Sequence, residues 1–275
     1  MKAQQDDVEG ARNLRRYFEK KREENKIQKS NPQTRNKNKS KILKNEFVEK
    51  QLIGLTIWRL KQQEISREME NVNETRLSYI SESINPKEVL KQGEMIRLTI
   101  EIPQSGYLYC IDSEEYLDGT KNPVLIFPTK KIRNGNNRIE TGQIIGLPDL
   151  TGQPPYFKLN IKKGQIAENL SIIITNQPIE WLLAKETAQQ LSAEQFAKLK
   201  AWETQTKQLV LETPGRYQTS KEQDIENTLD KRSLDLEDPP PQTALIIPKK
   251  PTQPVMVTLS LRLENSSTSL NRSQK

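Results

Sequence analysis

Four carboxylates lie within seven residues, at Asp112, Glu114, Glu115 and Asp118, between two segments with the composition of strands. Carboxylate oxygens are the ligands that Ca²⁺ prefers, so this acidic segment is a weak candidate for a calcium site. The spacing is not that of an EF-hand, because the fixed glycine and the distal bidentate glutamate are absent. A solvated hairpin loop, with Asp118 and Gly119 in its turn, is the simpler interpretation, and we predict no metal.

Four cations follow the next strand-like segment, at Lys130, Lys131, Arg133 and Arg138, with asparagines and a glycine among them. This basic segment is typical of a loop that receives an acidic partner. It would instead pair with the acidic segment if the strand order brings the two together. An exposed pair of opposite charges contributes only about 0–1 kcal/mol, so such pairing would add little stability.

Three tyrosines between positions 107 and 116 are the main candidates for a recognition surface: Tyr107, Tyr109 and Tyr116. Tyrosine combines a large contact area with a polar hydroxyl and is favoured at binding surfaces. Tyr156 and Phe157 are further candidates of the same kind. Tyrosines in strands also pack against the core or the sheet face, and this alternative stays open.

The sequence offers no recognisable nucleophilic centre. It contains no histidine, which excludes Ser-His-Asp and Cys-His mechanisms and histidine metal ligands. Cys110 is the only cysteine and lies in an apolar segment, so we predict a buried, inert thiol. Glu114 and Glu115 are neighbours, which on a strand point to opposite faces and make a poor acid–base pair. With no glycine-rich phosphate or dinucleotide motif present, we predict a non-enzymatic protein without a cofactor.

The net charge is concentrated in the first 50 residues. They hold 15 lysines and arginines against 8 aspartates and glutamates, an excess equal to the whole formal charge of +7, whereas the remaining residues balance. Only 33% of the residues are hydrophobic, and no apolar run approaches the roughly 20 residues of a membrane-spanning helix. A core therefore requires apolar residues to be concentrated beyond this basic arm.

The basic arm has two parts. Apolar residues recur at helical spacing in the first part, at Val8, Ala11, Leu14 and Phe18. They predict a short amphipathic helix over 1–22, which either docks on a partner or a membrane surface or packs on the body of the protein. Residues 23–49 are rich in lysine and asparagine, which predicts a disordered linker. An alternative function is that residues 20–44 bind nucleic acid or anionic lipid by counterion release.

Beyond the arm the pattern changes to that of a sheet. Between Glu94 and Glu101 apolar and polar residues alternate, which is typical of a half-buried antiparallel strand. Further short apolar segments recur, bounded by glycine, proline or asparagine, and no long helix separates them. The spacing predicts a mainly β fold, an antiparallel and Ig-like β-sandwich over residues 50–264. Residues 265–275 are rich in serine and asparagine, which predicts a disordered tail.

Two short helices are expected late in the sandwich. Ser192 with Gln195, and Ser220 with Gln223, have the spacing of a capping box, in which the two residues cap the start of a helix. They predict a small helical insertion at about 192–232.

Several segments resemble those of a known protein family. These segments are Gly54–Leu60, Arg97–Glu101, Gly106–Asp112, Asp118–Thr120, Leu125–Thr129, Asn134–Arg138, Pro154–Phe157 and Asp238–Thr243. Together they resemble the bacterial family called domain of unknown function 4384, over about residues 50–264. The resemblance implies a β-rich module that usually occurs on exported bacterial proteins. In other architectures the module is attached to caspase-like peptidases or protein kinases, and no activity is established for it.

The resemblance also bears on the compartment. The first four residues contain no apolar signal-peptide core, whereas related chains often begin with a signal peptide. Residues 5–7 resemble a mature terminus just after cleavage. We therefore expect an extracytoplasmic protein, periplasmic or secreted, if a signal has been removed, and a cytoplasmic protein otherwise.

These observations predict a non-enzymatic protein-interaction or accessory module that binds another protein. The acidic segment Asp112–Asp118 and the basic segment Lys130–Arg138 are its first candidate surfaces. One alternative is a polyanion binder that acts through the basic arm. A second alternative is an adaptor that regulates a peptidase or a protein kinase, and it depends on the family resemblance alone.

Overall fold

Two antiparallel β-sheets packed face to face form the body of the protein in a computed structural model. The structure describes residues 14–24, 51–69, 72–102, 105–140, 142–150, 154–227, 234, 238–247 and 254–264. Strands account for 46% and helices for 15% of the described residues. The predicted mainly β, antiparallel sandwich is confirmed.

The described residues form thirteen strands and three α-helices. The strands are β1 (Gln51–Met69), β2 (Val72–Ser83), β3 (Met95–Glu101), β4 (Gly106–Tyr116), β5 (Lys121–Phe127), β6 (Arg138–Ile139), β7 (Ile144–Leu147), β8 (Phe157–Lys158), β9 (Gln165–Thr175), β10 (Gln189–Gln190), β11 (Lys207–Val210), β12 (Thr243–Ile247) and β13 (Val255–Arg262). The helices are α1 (14–24), α2 (Ala193–Lys200) and α3 (Ser220–Asn227). The first sheet has the order β11-β12-β1-β3-β7, with β2 paired to β1 and β8 to β3. The second sheet has the order β10-β5-β4-β9-β13, with β6 paired to β4.

Alternating side chains build the core between the two sheets. On β3, Ile96, Leu98 and Ile100 point inward and are at most 4% exposed. On the second sheet, Cys110 of β4 and Ile172 of β9 belong to the same apolar cluster. Cys110 is buried, as predicted, and burial raises the pKa of its thiol.

The opposite face of β3 is buried as well, although the alternation predicts a face in contact with water. Arg97, Thr99 and Glu101 are at most 6% exposed. The reason is a further layer over this face, because Arg22 of α1 reaches Glu101 and Glu226 of α3 reaches Arg97. A strand with a strict apolar–polar alternation can therefore be buried on both sides.

Charged side chains neutralise one another within this layer. Arg22 donates hydrogen bonds of 3.0 and 2.8 Å to the Glu101 carboxylate and one of 2.6 Å to the Asp238 carbonyl oxygen. Arg97 contacts the carboxylate of Glu226. Burial lowers the pKa of Arg97 to about 9, and the charge of Asp149 acts in the opposite direction. Arg22, a residue of the basic arm, is thus part of the folded body.

The helix α1 packs on the first sheet. Leu14 and Phe18 are fully buried in a cluster with Leu52 and Ile246, so for this helix the alternative of packing on the body holds. It continues to residue 24, two residues past its predicted end. The rest of the predicted helix 1–22, nearly all of the predicted linker 23–49 and the predicted tail 265–275 lie outside the described residues. No helix in the part of the chain that the structure describes is long and apolar enough to cross a membrane.

The late helices begin at capping boxes. Ser192 accepts a hydrogen bond of 3.1 Å from the Gln195 N–H and donates its own N–H to the Gln195 side chain at 2.9 Å, as predicted. The second box lies one residue earlier than predicted, because Thr219 rather than Ser220 exchanges these bonds with Glu222. The predicted insertion is also not wholly helical, since β11 lies between the two helices and pairs with β12.

Candidate functional site

The β4–β5 hairpin carries both of the charged segments. Glu115 pairs with Lys121 near the turn, and Cys110 pairs with Phe127 five residues earlier on β4. At about 3.4 Å per residue these two pairs are about 17 Å apart. The acidic segment lies at the turn and the basic segment follows the other end of the hairpin. The structure therefore does not bring the two segments together.

The acidic segment lies mostly in a strand rather than in the predicted loop, since β4 includes three of its four carboxylates. Asp112 and Glu114 share one face of the sheet and Glu115 points to the other. Asp118 lies in the turn and accepts a backbone N–H at 2.9 Å, next to Gly119 with its φ of 81°. The four carboxylates do not converge, and the described residues contain no group of three or more His, Cys, Asp or Glu that could hold a metal ion. We call these four residues, with their partners, the acidic end.

Asp112 lies beside a carboxyl group from a distant part of the sequence, that of Glu168 on β9. The two carboxyl groups interact electrostatically, and Gln165 donates a hydrogen bond of 2.7 Å to Glu168. Burial raises the pKa of Asp112 to about 6, and burial together with the Asp112 charge raises the pKa of Glu168 to about 8. The pair therefore shares a proton near neutral pH and can donate or accept one there.

Glu114 is the centre of the rest of the acidic end. It accepts hydrogen bonds from Lys162 at 2.5 Å, Tyr116 at 2.7 Å and Asn122 at 3.3 Å. Burial by itself raises the Glu114 pKa, but these donors outweigh it and lower the pKa. Glu115 is held in a similar way on the opposite face, by an asparagine and a lysine. The acidic end thus satisfies its charges within the chain.

The basic segment is joined to the loop 176–188, which follows β9. The Lys130 N–H donates to the Lys185 carbonyl oxygen at 2.7 Å. Gly135 has a φ of 78°, and a Cβ at this position would stand 2.8 Å from the Ala184 methyl group. Glycine meets both the conformation and the close contact. The basic segment and the loop therefore form one continuous surface.

Tyr109 positions this surface and is not itself exposed. Its side chain is 1% exposed, and its hydroxyl accepts the Ile179 N–H at 2.7 Å, which fixes the start of the loop. Tyr107 is half-buried against the apolar cluster that contains Tyr109. Tyr116 lies at the acidic end, and Tyr156 packs edge-on against another tyrosine ring. The candidate Tyr109 is therefore a packing residue, because its side chain is buried, whereas a role of Tyr107 and Tyr116 in recognition stays a prediction.

Two large apolar side chains of the loop 176–188 are exposed next to the basic segment. Trp181 is 42% exposed and Leu183 is 69% exposed, whereas Leu182 between them is buried. Burial of Leu182 turns its two neighbours outward. The loop therefore presents an aromatic and an aliphatic side chain to the solvent.

The cations beside these two residues are only partly neutralised. Lys130 forms an ion pair of 2.6 Å with a glutamate of the loop, and Arg133 donates to the Arg138 carbonyl oxygen at 3.2 Å. Lys131, Arg138 and Lys185 form no side-chain ion pair with any residue that the structure describes. We call this surface the cationic–apolar face, and its members are Lys130, Lys131, Arg133, Arg138, Trp181, Leu183 and Lys185.

Sequence reasoning missed Glu168, Trp181 and Leu183. No local signal connects Glu168 with Asp112, because the two are brought together by the register of β4 and β9. Trp181 and Leu183 do leave a signal in the sequence. They belong to a second apolar run, which follows β9 and ends next to Lys185.

No protein-family model, no curated protein and no solved structure matches this chain. The resemblance to the domain of unknown function 4384 therefore stays a prediction.

Proposed function

We propose that the chain is a non-enzymatic protein-interaction module whose cationic–apolar face binds an acidic region of another protein. The observation that carries this proposal is the exposure of Trp181 and Leu183 beside cations that have no carboxylate partner among the described residues. Tryptophan and arginine are enriched among the residues that dominate binding energies at protein interfaces. Exposed apolar area next to unpaired charge is the combination that such a partner can use.

The two kinds of side chain contribute different parts of the binding free energy. Removing a leucine or a comparable apolar side chain from water stabilises a complex by roughly 1.5–3 kcal/mol. Lys131 and Arg138 attract an acidic partner and raise its association rate more than they raise its affinity. The face therefore favours a partner that presents both an apolar group and carboxylates.

The scaffold under the face keeps it in its binding conformation. The close contact of Gly135 with Ala184 and the hydrogen bond from the Lys130 N–H to the Lys185 carbonyl oxygen hold the two loops together in the unbound chain. The Ile179 N–H also donates to the Tyr109 hydroxyl beneath them. A surface that is ordered before binding loses less conformational entropy when the partner arrives. This supports a role in recognition.

The family resemblance supplies candidates for the partner and the compartment. We propose a peptidase or a protein kinase encoded elsewhere as the first partner to examine, and an extracytoplasmic location. Both proposals depend on the resemblance alone and are separate from the assignment of the binding face.

The test is cross-linked co-purification from the native organism with the full chain, in which two variants of the face are compared with matched controls. Leu183→Ser and Lys131→Gln change the face. Leu117→Ser changes a leucine that is 73% exposed at the acidic end, and Lys163→Gln changes an exposed lysine there.

We expect one protein to be recovered with the unchanged chain and with both controls. Its recovery should fall at least about tenfold with Leu183→Ser, since a central apolar contact contributes about 1.4 kcal/mol or more. Equal recovery with all variants would show that binding uses another surface.

A further inference from the structure

The outer edge of β13 is open over a short stretch. At one end of this edge, Met256 exchanges backbone hydrogen bonds of 2.8–2.9 Å with Trp202 and Thr204, which precede β11. At the other end, the Arg262 carbonyl oxygen accepts a hydrogen bond of 2.9 Å from the Leu90 N–H, which precedes β3. Residues two apart in a strand direct their backbone groups to the same side. Thr258 and Ser260 therefore also direct their N–H and C=O groups outward. No residue that the structure describes pairs with these groups on that side.

A cleft of about 330 Å³ lies along this stretch, where the edges of the two sheets meet. Lys87 and Arg262 line it with two cations, and neither forms an ion pair with a described residue. Gln208 of β11 also lines it, and the Nε2 of this amide is buried without an acceptor. Pro86 and Leu259 supply an apolar part of the wall. No carboxylate lines the cleft, so its electrostatic character selects an anion.

We propose that this cleft binds the carboxyl-terminal residues of an extended peptide. The peptide adds as a short strand to Thr258 and Ser260, and its terminal carboxylate lies between Lys87 and Arg262. Addition of a strand to an open sheet edge is a general mode of peptide recognition, in which backbone hydrogen bonds supply affinity. The bound peptide also offers carbonyl oxygens to the unpaired amide of Gln208, whose buried donor is costly without an acceptor.

The position of the cations fixes the direction of the peptide. Arg262 follows the open stretch along β13, so a peptide whose carboxyl end reaches it runs parallel to β13. The two segments that already pair with this edge, at Met256 and Leu263, are parallel to it as well. The cleft has the volume of roughly eleven water molecules, which suits a chain end of about two residues rather than a folded domain.

This site is independent of the cationic–apolar face. β13 is one edge of the second sheet, and β5, whose end leads into the basic segment, lies near the other edge. Substitutions in the cleft and on the face therefore report on different surfaces, and the failure of one proposal leaves the other standing.

The experiment is a titration of the full chain with the peptide acetyl-Thr-Val-Thr-Val as its free acid and as its carboxyl-terminal amide. Affinity is measured by calorimetry, and the amide signals of Thr258 and Ser260 are followed by NMR. We expect the free acid to bind and to shift these two signals. The amide should bind at least about tenfold more weakly, because a hydrogen bond to a charged group is lost.

Three variants test the residues. Arg262→Gln should weaken binding of the free acid about tenfold or more, whereas Lys91→Gln, a change of an exposed lysine outside the cleft, should leave it unchanged. Ser260→Pro should abolish strand addition, and it removes no existing ladder bond because the Ser260 N–H points outward.

Equal affinities for the acid and the amide, or no binding of the acid at about 1 mM, would overturn the proposal. Unchanged binding by Arg262→Gln would do the same. This exposed substitution keeps the test decisive even if Ser260→Pro lowers the melting temperature.

Discussion

The acidic end and the cationic–apolar face both concentrate charge on the second sheet, but they differ in what the charges contact. At the acidic end Glu114 has three donors within the chain, and Asp112 shares a proton with Glu168. At the cationic–apolar face Lys131 and Arg138 have no ion-pair partner among the described residues. Charge density by itself therefore does not mark a binding surface. We propose that unpaired charge next to exposed apolar area does.

The largest difference between the two regions should appear at their glycines. Gly135 and Gly119 both have a φ near 80°, but only Gly135 is in close contact, with the Ala184 methyl group. Gly119→Ala should cost about 1–2 kcal/mol, the penalty of a left-handed conformation. Gly135→Ala should cost about 3 kcal/mol, because Ala184 must also be displaced.

Urea unfolding of the two glycine variants measures this difference directly. Because both substitutions impose the same backbone strain, their difference isolates the contact between the basic segment and the loop 176–188. Equal losses would mean that the two loops are not held together, and the face would then not exist as one ordered surface.

The stability of the acidic end should depend on pH, unlike that of the cationic–apolar face. The pKa values of Asp112 and Glu168 are raised, to about 6 and about 8, above ordinary values of about 4. The folded chain therefore binds more protons than the unfolded chain between about pH 4 and pH 8. The stabilisation from this pair is complete below about pH 4 and is lost as the pH rises through 6 and then 8.

The variant Glu168→Gln tests this dependence. The neutral amide replaces the protonated carboxyl group at every pH, so the variant should lack most of the decline. Between pH 5 and pH 9 the unchanged chain should lose on the order of 2 kcal/mol relative to it. Lys131→Gln serves as the control, because lysine does not titrate in this range. A decline of the same size in Glu168→Gln and in the unchanged chain would refute the assignment of the decline to the carboxyl pair.

Much of the fold was predictable because strands and helix starts leave local signals. The alternation in β3 identified an antiparallel strand, and the spacing of Ser192 and Gln195 identified the start of α2. The part of β1 that reaches Met69 leaves no such signal, because its polar residues do not alternate with apolar ones and pairing with β2 supplies the hydrogen bonds. A local pattern shows which side chains alternate between buried and exposed. The backbone hydrogen bonds of a strand come from its partner strand and do not depend on the side chains.

The candidate site was less predictable, since it depends on which elements become neighbours. Asp112 and Glu168 are 56 positions apart, and a shift of one residue in strand register would separate them. The exposure of Trp181 depends on the burial of Leu182 beneath it, which a sequence does not reveal. The basic segment was visible, but the apolar half of the face comes from another loop.

The third contrast uses two tyrosines on the same strand. The Tyr109 hydroxyl is buried and is the acceptor for the Ile179 N–H, whereas the half-buried Tyr116 hydroxyl is one of three donors to Glu114. Tyr109→Phe should cost about 1.5 kcal/mol, because a buried N–H loses its acceptor. Tyr116→Phe should cost about 0.5 kcal/mol, since Glu114 keeps two donors. Thermal unfolding compares the two variants. A larger loss of stability for Tyr116→Phe would mean that the Tyr116 hydroxyl, and not the Tyr109 hydroxyl, contributes more to the fold.

The smallest effects on the free energy of unfolding are expected for the exposed cations of the cationic–apolar face. Lys131→Gln and Arg138→Gln should each change the free energy of unfolding by less than about 0.5 kcal/mol, because neither side chain has an ion-pair partner in the described chain. Lys162→Gln should cost up to about 1 kcal/mol, since it removes a donor from Glu114, which is 17% exposed. Urea unfolding at low salt resolves the two cases. A greater loss for Lys131→Gln or Arg138→Gln would mean that the fold already uses these cations, leaving less charge for a partner to bind.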